Sequence, residues 1–388
     1  MPAITDTAFP MRAFLAGARR KERSLLDLTR KLVQAESPSD SKSAVDACVA
    51  LAAAHLRQLG GRVKLHRQPH HGNVVEARFG PRASTRGDAK PILLLGHLDT
   101  VWPLGTLTSM PCRVREGRLW GPGTLDMKAG VAMASTALEL LMEARLLRRE
   151  IILLLNGDEE IGSPASRPIT ENLARQCSAV YVLEPAQGLA CKTARKGIGD
   201  WHIQVQGVAA HAGVDFEKGA NALRELARVI ETVSGWTDIK RGLTVSVGVA
   251  AGGTKSNVVP AHAQADIDVR IPRLADGPRI ARKFAALRPA DPRCTLVVTG
   301  GINRPPMERS RGTVRLFRKA HALARELGFE LQEASTGGGS DGNFTAALGI
   351  ATLDGMGAVG EGAHAQHESV LVEHLAPRTA LLAGMLIG

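Results

Sequence analysis

Residues 151–162 read IILLLNGDEEIG, and the two halves of the stretch make opposite demands. Ile151–Leu155 is an unbroken apolar run, the pattern of a short strand covered on both faces. Three adjacent acids, Asp158, Glu159 and Glu160, follow almost at once. Charged groups beside a core are costly unless they are paired or bound to a cation. A strand that delivers carboxylates in this way implies an α/β sheet and a source of positive charge beyond the strand end.

The neighbouring segments repeat the pattern. Residues 91–100, PILLLGHLDT, form a second apolar run that ends in polar residues, and 179–185, AVYVLEP, form a third. Helical spacing fills the intervals: one helix over 11–34, a second over 44–60 capped by Ser39 or Ser41, then 128–144 and 165–175. Arg62–Leu65 and Val74–Phe79 read as strands. Alternating strands and helices predict an α/β domain with a mostly parallel sheet flanked by helices.

Around Lys196 the pattern changes to half-buried strands. GDWHIQVQG, GLTVSVGVAAGG and QADIDVRIP, with two amphipathic helices and CTLVVTG, predict a small α+β module. After 306 the α/β character returns, with a helix through 313–328, the turn TGGGSDGN at 336–343, a strand near 349–357 and a final helix through 376–388. The expected organisation is a catalytic domain in two parts, 1–195 and 307–388, interrupted by an inserted module at 196–306.

Composition narrows the function classes. The 388 residues carry a net charge of +11, but Lys and Arg are scattered without aromatic interleaving, so a solvated basic surface is expected and no nucleic-acid partner. The five cysteines, Cys48, Cys112, Cys177, Cys191 and Cys294, form no CxxC pair, which argues for buried thiols in a reducing compartment. The N-terminus lacks the apolar core of a signal peptide, and no stretch has the length of a membrane span. A cytoplasmic protein with no membrane partner is the expectation.

Polar residues gather where the apolar runs end, the place where open α/β sheets bind ligands. His97 and Asp99 follow the second run, Asp126 precedes a helix, the three acids follow Leu155, and Glu184 follows the third run. Taken singly, each is an ordinary loop residue. Together, a histidine and several carboxylates suit zinc, with cobalt or manganese as alternatives. A two-metal site with one bridging carboxylate needs about five protein ligands. His97, Asp126, Glu160 and Glu184 supply four, and His364 or His367 offers the fifth. Asp99 is placed to orient the His97 imidazole. Within the acidic triplet, one carboxylate can be a ligand while its neighbour serves as general base.

The ordered motifs GHLDTVWPLGT, GPGTLDMKAG, NGDEEIGS, LEPA, AAHAG, NVVPAHAQADIDVR and GAHAQHES resemble the M20-type zinc exopeptidase and amidohydrolase family. That family includes glutamate carboxypeptidase, acetylornithine deacetylase, succinyl-diaminopimelate desuccinylase and carnosinase. HLDTVWPLGT and the segment around AAHAG are most similar to the glutamate carboxypeptidase branch. The resemblance implies two zinc ions per subunit, with Asp126 as the bridge, His97 and Glu184 on one ion, and Glu160 and His364 on the other. His364 is chosen over His367 because it precedes Glu368 by four residues. The resemblance also implies Glu159 as general base, Asp99 as the orienting acid and a cis peptide after Asp126. It makes the inserted module a dimerisation (lid) domain of a homodimer, whose His211 stabilises the reacting carbonyl oxygen in the partner subunit.

Asn257 and Arg270 resemble residues that hold a substrate carboxylate, although strand alternation also lets Arg270 pair with Asp266 or Asp268. Gly339 and Ser340 lie in a turn that resembles a substrate-side loop, with Gly342-Asn343 departing from the usual family pattern. The implied activity is hydrolysis of an amide bond next to a free carboxylate, with release of a Glu-like residue from an N-acyl amino acid or small peptide. An N-acyl-amino-acid deacylase or a dipeptidase of the same chemistry is the alternative, and a non-catalytic metal-binding protein is a distant one.

Overall fold

The structure is a computed structural model and describes residues 11–82 and 89–387. Residues 1–10 of the N-terminal stretch and residue 388 of the expected final helix lie outside the described residues. The apolar run Ile151–Leu155 lies in strand β6 (Ile151–Asn156), buried along its whole length. Its side chains alternate between two cores. Ile151, Leu153 and Leu155 join one apolar cluster, while Ile152 and Leu154 join another with Leu173 and Ala174 of helix α5 (Arg167–Gln176). Each such leucine contributes roughly 1.5–3 kcal/mol by burial, which explains why the run is apolar at every position.

Around β6 lies a six-stranded mixed sheet. Its order is β1 (Arg62–His66), β2 (Val74–Phe79), β6, β3 (Ile92–His97), β7 (Ala179–Val182) and β14 (Thr352–Leu353). The expected parallel pairing holds from β6 to β14, and β1 and β2 extend one edge antiparallel. Helices α4 (Ala129–Glu143) and α10 (Leu375–Leu386) are buried almost throughout, as their nearly uniform apolar sequences require. Helix α3 (Lys42–Gln58) begins after Ser41, but the serine makes no side-chain capping bond. The single helix expected over 11–34 is two helices, α1 (Met11–Arg20) and α2 (Glu22–Gln34), which break at Lys21. The Lys21 ammonium there pairs with Glu139 and Glu143 of α4.

Several short strands lie outside the segments whose sequence pattern predicts strands. β4 (Arg113–Arg115), β5 (Arg118–Trp120), β15 (Gly360–Glu361) and β16 (Ser369–Leu371) form an antiparallel sheet. β8 (Cys191–Arg195) and β13 (Glu333–Thr336) form a two-stranded ribbon. Helices α8 (Arg311–Glu326) and α9 (Gly342–Ala347) complete this part of the chain.

The chain divides into two compact units. The first comprises the chain up to Ala194, Arg309–Ser335 and the chain from Ser340, and the second comprises Arg195–Glu308 with Thr336–Gly339. The second unit therefore takes in a tetrapeptide besides the single run expected for the insert. Lys196 donates its amide to the Thr336 carbonyl, and Arg195 donates to the Gly338 and Gly339 carbonyls, which ties the tetrapeptide there. The rest of the second unit is an antiparallel sheet in the order β10 (Thr244–Gly252), β11 (His262–Ile271), β9 (Gly197–Gln206) and β12 (Thr295–Arg304). Its inward residues, among them Ile267 and Val269, share a core with helices α6 (Ala222–Ser234) and α7 (Asp276–Ala285). Trp201 stacks on Phe284 at 4.4 Å in that core. No helix among the described residues is long and apolar enough to cross a membrane.

Candidate metal centre and active site

In the first unit, four loop ends of the mixed sheet carry the polar residues singled out in the sequence. His97 is the last residue of β3 and is buried. Its Nδ1 lies 3.0 Å from the Asp99 carbonyl oxygen, a group that can only accept, so Nδ1 carries the proton and Nε2 is the outward-facing donor atom. That Nε2 lies 3.2 Å from Asp126 Oδ1 and 3.6 Å from Glu184 Oε1.

Asp126 occupies a turn just before α4, and the Asp126–Met127 peptide is cis. Gly130 lets the helix start close beneath β7, since a Cβ there would collide with the Leu183 carbonyl. The second Asp126 oxygen, Oδ2, lies 3.4 Å from His364 Nε2, which is also 3.2 Å from Glu160 Oε2. Asp126 therefore presents one oxygen to each histidine. His364 adopts φ +62°, a left-handed backbone unusual for a side-chain-bearing residue, in the loop between β15 and β16. Its neighbour His367 is exposed.

The acidic triplet separates into three environments. Asp158 Oδ2 accepts the amides of Ala165 and Ser166, so this acid fastens the loop to the start of α5. The Glu159 and Glu160 amides donate at 3.1 Å to the two oxygens of Asp99, whose carboxylate also accepts the Ser39 hydroxyl at 2.7 Å. Asp99 thus holds His97 with its carbonyl and the acidic turn with its side chain. Single ligand atoms of His97, Asp126 and Glu160 converge within 4.8 Å, as do those of His97, Glu159 and Glu184.

Electrostatics fit a cation. Burial alone would raise the Asp126 carboxyl, but hydrogen bonds from His364 and His97 hold it well below the usual carboxylate range. Burial works against a proton on His97, yet its contacts with Asp126, Asp99 and Glu184 hold it well above the ordinary imidazole value. Asp126 and Glu160 raise His364 to about 10. Burial pushes the Glu160 carboxyl up, and its Oε1 is buried without a hydrogen-bond partner. Two imidazole nitrogens, several convergent carboxylates and an unpartnered buried oxygen match the donor set of a divalent metal centre.

The other singled-out residues fall in the second unit or in the turn that bridges the two. His211 is exposed, and its Nδ1 accepts the Gly213 amide at 3.1 Å. Asn257 is also exposed, and its carbonyl accepts the Ala212 amide, so the two residues sit on paired loops. The Arg270 guanidinium makes a two-pronged bond to Asp268, with Nη2 at 2.7 Å and Nε at 2.9 Å, so in this structure it pairs with the neighbouring acid. The Gly339 carbonyl accepts from Arg195 at 2.9 Å. Ser340 is buried, its hydroxyl donating to Asp354 at 2.5 Å, which leaves it supporting the turn.

Asp341, next to Ser340 in the turn, and Glu368 hold the site together. Asp341 accepts from Asn156 at 2.6 Å and from the Ser163 hydroxyl, joining the turn after Gly339 to the acidic loop. Glu368 is buried against the turn that carries Asp126. Its signal in the sequence was its fixed spacing from His364, which served only to choose between histidines.

Known proteins are similar to this chain in family and in fold. Residues 93–387 match the model of peptidase family M20/M25/M40. The chain is 30% identical to carboxypeptidase G2 of Pseudomonas sp. (strain RS-16) over 400 residues, covering 99% of this chain and 96% of that protein. It is 29% identical to a succinyl-diaminopimelate desuccinylase of Stenotrophomonas maltophilia (strain R551-3), covering 91% and 95% of the two. Aminopeptidase PepT from Bacillus cereus superposes with a TM-score of 0.80 at 23% identity, over 94% of this chain and 98% of that one. The chain belongs to the M20/M25/M40 family of metal-dependent peptidases and amidohydrolases.

Proposed function

We propose that the protein is a two-zinc hydrolase that cleaves an amide or peptide bond beside a free carboxylate and releases a Glu-like C-terminal residue. The observation that carries this reading is Asp126, whose two oxygens face two different histidines, the arrangement a bridging ligand needs. His97 and Glu184 would complete one site, and Glu160 and His364 the other. Charge favours cations: ligand atoms of His97, Asp126 and Glu160, and those of His97, Glu159 and Glu184, converge within 4.8 Å, so four carboxylates share one small volume. When bound, such ions polarise the scissile carbonyl and acidify the attacking water.

The chain's own residues do the rest. Glu159, held through its amide by Asp99, takes the proton from the attacking water and delivers it to the leaving amine. His211, supplied by the partner subunit of a homodimer, donates to the oxygen that becomes negative. Asn257 and Arg270 grip the substrate carboxylate, with Arg270 exchanging Asp268 for the substrate. Gly339 gives the backbone close approach, and Ser340 holds that loop in place.

A second reading, an N-acyl-amino-acid deacylase, is favoured by the similarity to desuccinylase and to an acetylornithine deacetylase of Klebsiella pneumoniae. The test is hydrolysis of a panel of N-acyl amino acids and dipeptides, varied at the C-terminal residue, with and without chelator. A preference for C-terminal Glu supports the first reading, and a preference set by the acyl group supports the second. Inert zinc-loaded protein overturns both.

A further inference from the structure

Glu368 takes no part in the proposed hydrolysis, yet each of its two oxygens is held by two donors. The side chain is 1% exposed. Its Oε1 accepts the amides of Leu125 at 2.8 Å and Asp126 at 3.1 Å. Its Oε2 accepts the Gly123 amide at 2.9 Å and the Trp102 indole N–H at 2.8 Å. Both oxygens are thus filled by donors that no water or flexible side chain supplies, and three of the four are main-chain amides of the turn that carries Asp126. The fourth donor belongs to the segment that follows His97 and Asp99. Glu368 itself closes the loop that presents His364, its amide donating to the Ala365 carbonyl at 2.9 Å.

One carboxylate therefore ties together three segments that bear the proposed ligands: the end of β3, the turn before α4 and the loop between β15 and β16. A single acceptor fixes the mutual direction of the three amides, and with it the backbone from which the Asp126 side chain reaches His97 and His364. A buried carboxylate is also intolerant of change, because removing its charge or its second acceptor leaves buried N–H groups without partners.

We propose that Glu368 is the positioning residue of the metal centre, setting the Asp126 carboxylate so that it can face two cations at once. This rests on the two-zinc reading. The inference predicts more than a loss of folding. In Glu368→Gln the amide oxygen can still accept from one pair of donors, but its NH2 group confronts the other two. The turn then shifts while the fold persists, and the cost falls on metal affinity and not mainly on substrate binding.

The experiment measures zinc affinity by competition with a chromophoric chelator, together with the visible spectrum of the cobalt(II)-substituted protein, kcat and KM at saturating metal, and thermal unfolding of chelator-treated protein. Glu368→Gln is expected to weaken zinc binding at least tenfold, alter the cobalt spectrum and lower kcat with little change in KM. Trp102→Phe removes one donor and leaves the carboxylate, so it is expected to weaken zinc binding only a few-fold. In the Glu368→Gln background it relieves one donor–donor clash, so the double variant binds zinc more tightly than Glu368→Gln alone. Unchanged zinc affinity and cobalt spectrum in folded Glu368→Gln would overturn the inference and leave Glu368 as a support of the loop. If Glu368→Gln does not fold, Trp102→Phe decides, and wild-type affinity in that variant overturns the inference equally. Wild-type protein that binds no divalent cation overturns the two-zinc reading itself, a result distinct from either of these.

Discussion

The residues singled out in the two units are held in opposite ways. In the first unit, His97, Asp99 and Glu184 are buried, His97 is fixed by the Asp99 carbonyl and Asp126 sits in a turn clamped by Glu368, while the exposed His364 reaches Asp126 and Glu160. In the second, His211 and Asn257 are exposed, and Arg270 is engaged by its neighbour Asp268. The first set is held by contacts within the fold itself. The second set acquires a defined task only when something else, a substrate or a partner subunit, is supplied. Groups that must hold a cation gain from being fixed in advance, whereas groups that meet a substrate have to exchange partners.

That contrast can be broken most sharply at Glu159. Glu159→Ala is expected to keep its metal, measured by elemental analysis, and to lose up to about 10⁴-fold in kcat, the upper range for general acid–base catalysis. Loss of metal in that variant would mean that Glu159 and Glu160 have exchanged roles. His211→Ala is expected to lower kcat by about 10²–10³-fold, the scale for removing one donor to a developing oxyanion, with metal affinity unaltered. If His211 acts across a subunit interface, mixing inactive Glu159→Ala and His211→Ala subunits restores part of the activity, because the mixed dimer contains one complete site. No recovery after confirmed subunit exchange would place His211 within its own subunit.

Smaller effects test the substrate side. Arg270→Ala is expected to raise KM about ten- to hundredfold for substrates with a free carboxylate, as expected for the loss of a charged hydrogen bond, and to leave zinc affinity unchanged. An unaltered KM would make the Asp268 pair its whole role. The smallest effect concerns protons. Asp126 and Glu160 raise His364 from 6.5 to about 10, so in chelated protein its protonated form stabilises the fold fully below pH 6.5, and this is lost as pH rises through about 10. Zinc must displace that proton, so its affinity runs the other way and rises about tenfold per pH unit for each proton released. Titration at several pH values checks this, and a pH-independent affinity would remove His364 from the ligand set.

Much of the mixed sheet was legible because burial on both faces leaves an unbroken apolar run, as in Ile151–Leu155, and such runs end where ligands gather. The short strands around Trp120 and Ser369 were not legible: two or three residues cannot show a period, and their pairing joins segments about 250 residues apart. The break at Lys21 was hidden for a related reason, since apolar spacing continues across it and the partners of its ammonium, Glu139 and Glu143, lie far along the chain. The acidic triplet shows the same limit. Asp158, Glu159 and Glu160 are equivalent in local sequence, and their division rests on Ala165, Ser166 and Asp99, which the fold brings up from elsewhere.

By itself the sequence determined which residue types stand at the strand ends, and therefore that a cation-binding hydrolytic centre was to be expected. Local periodicity and chemical type are properties of the chain. Only the tertiary structure decided which oxygen of Asp126 faces which histidine, that Asp99 spends its carboxylate on the acidic turn, and that Glu368 gathers three segments. Each of these depends on direction and distance between groups far apart in the chain, and those are set by how the sheet, helices and loops pack.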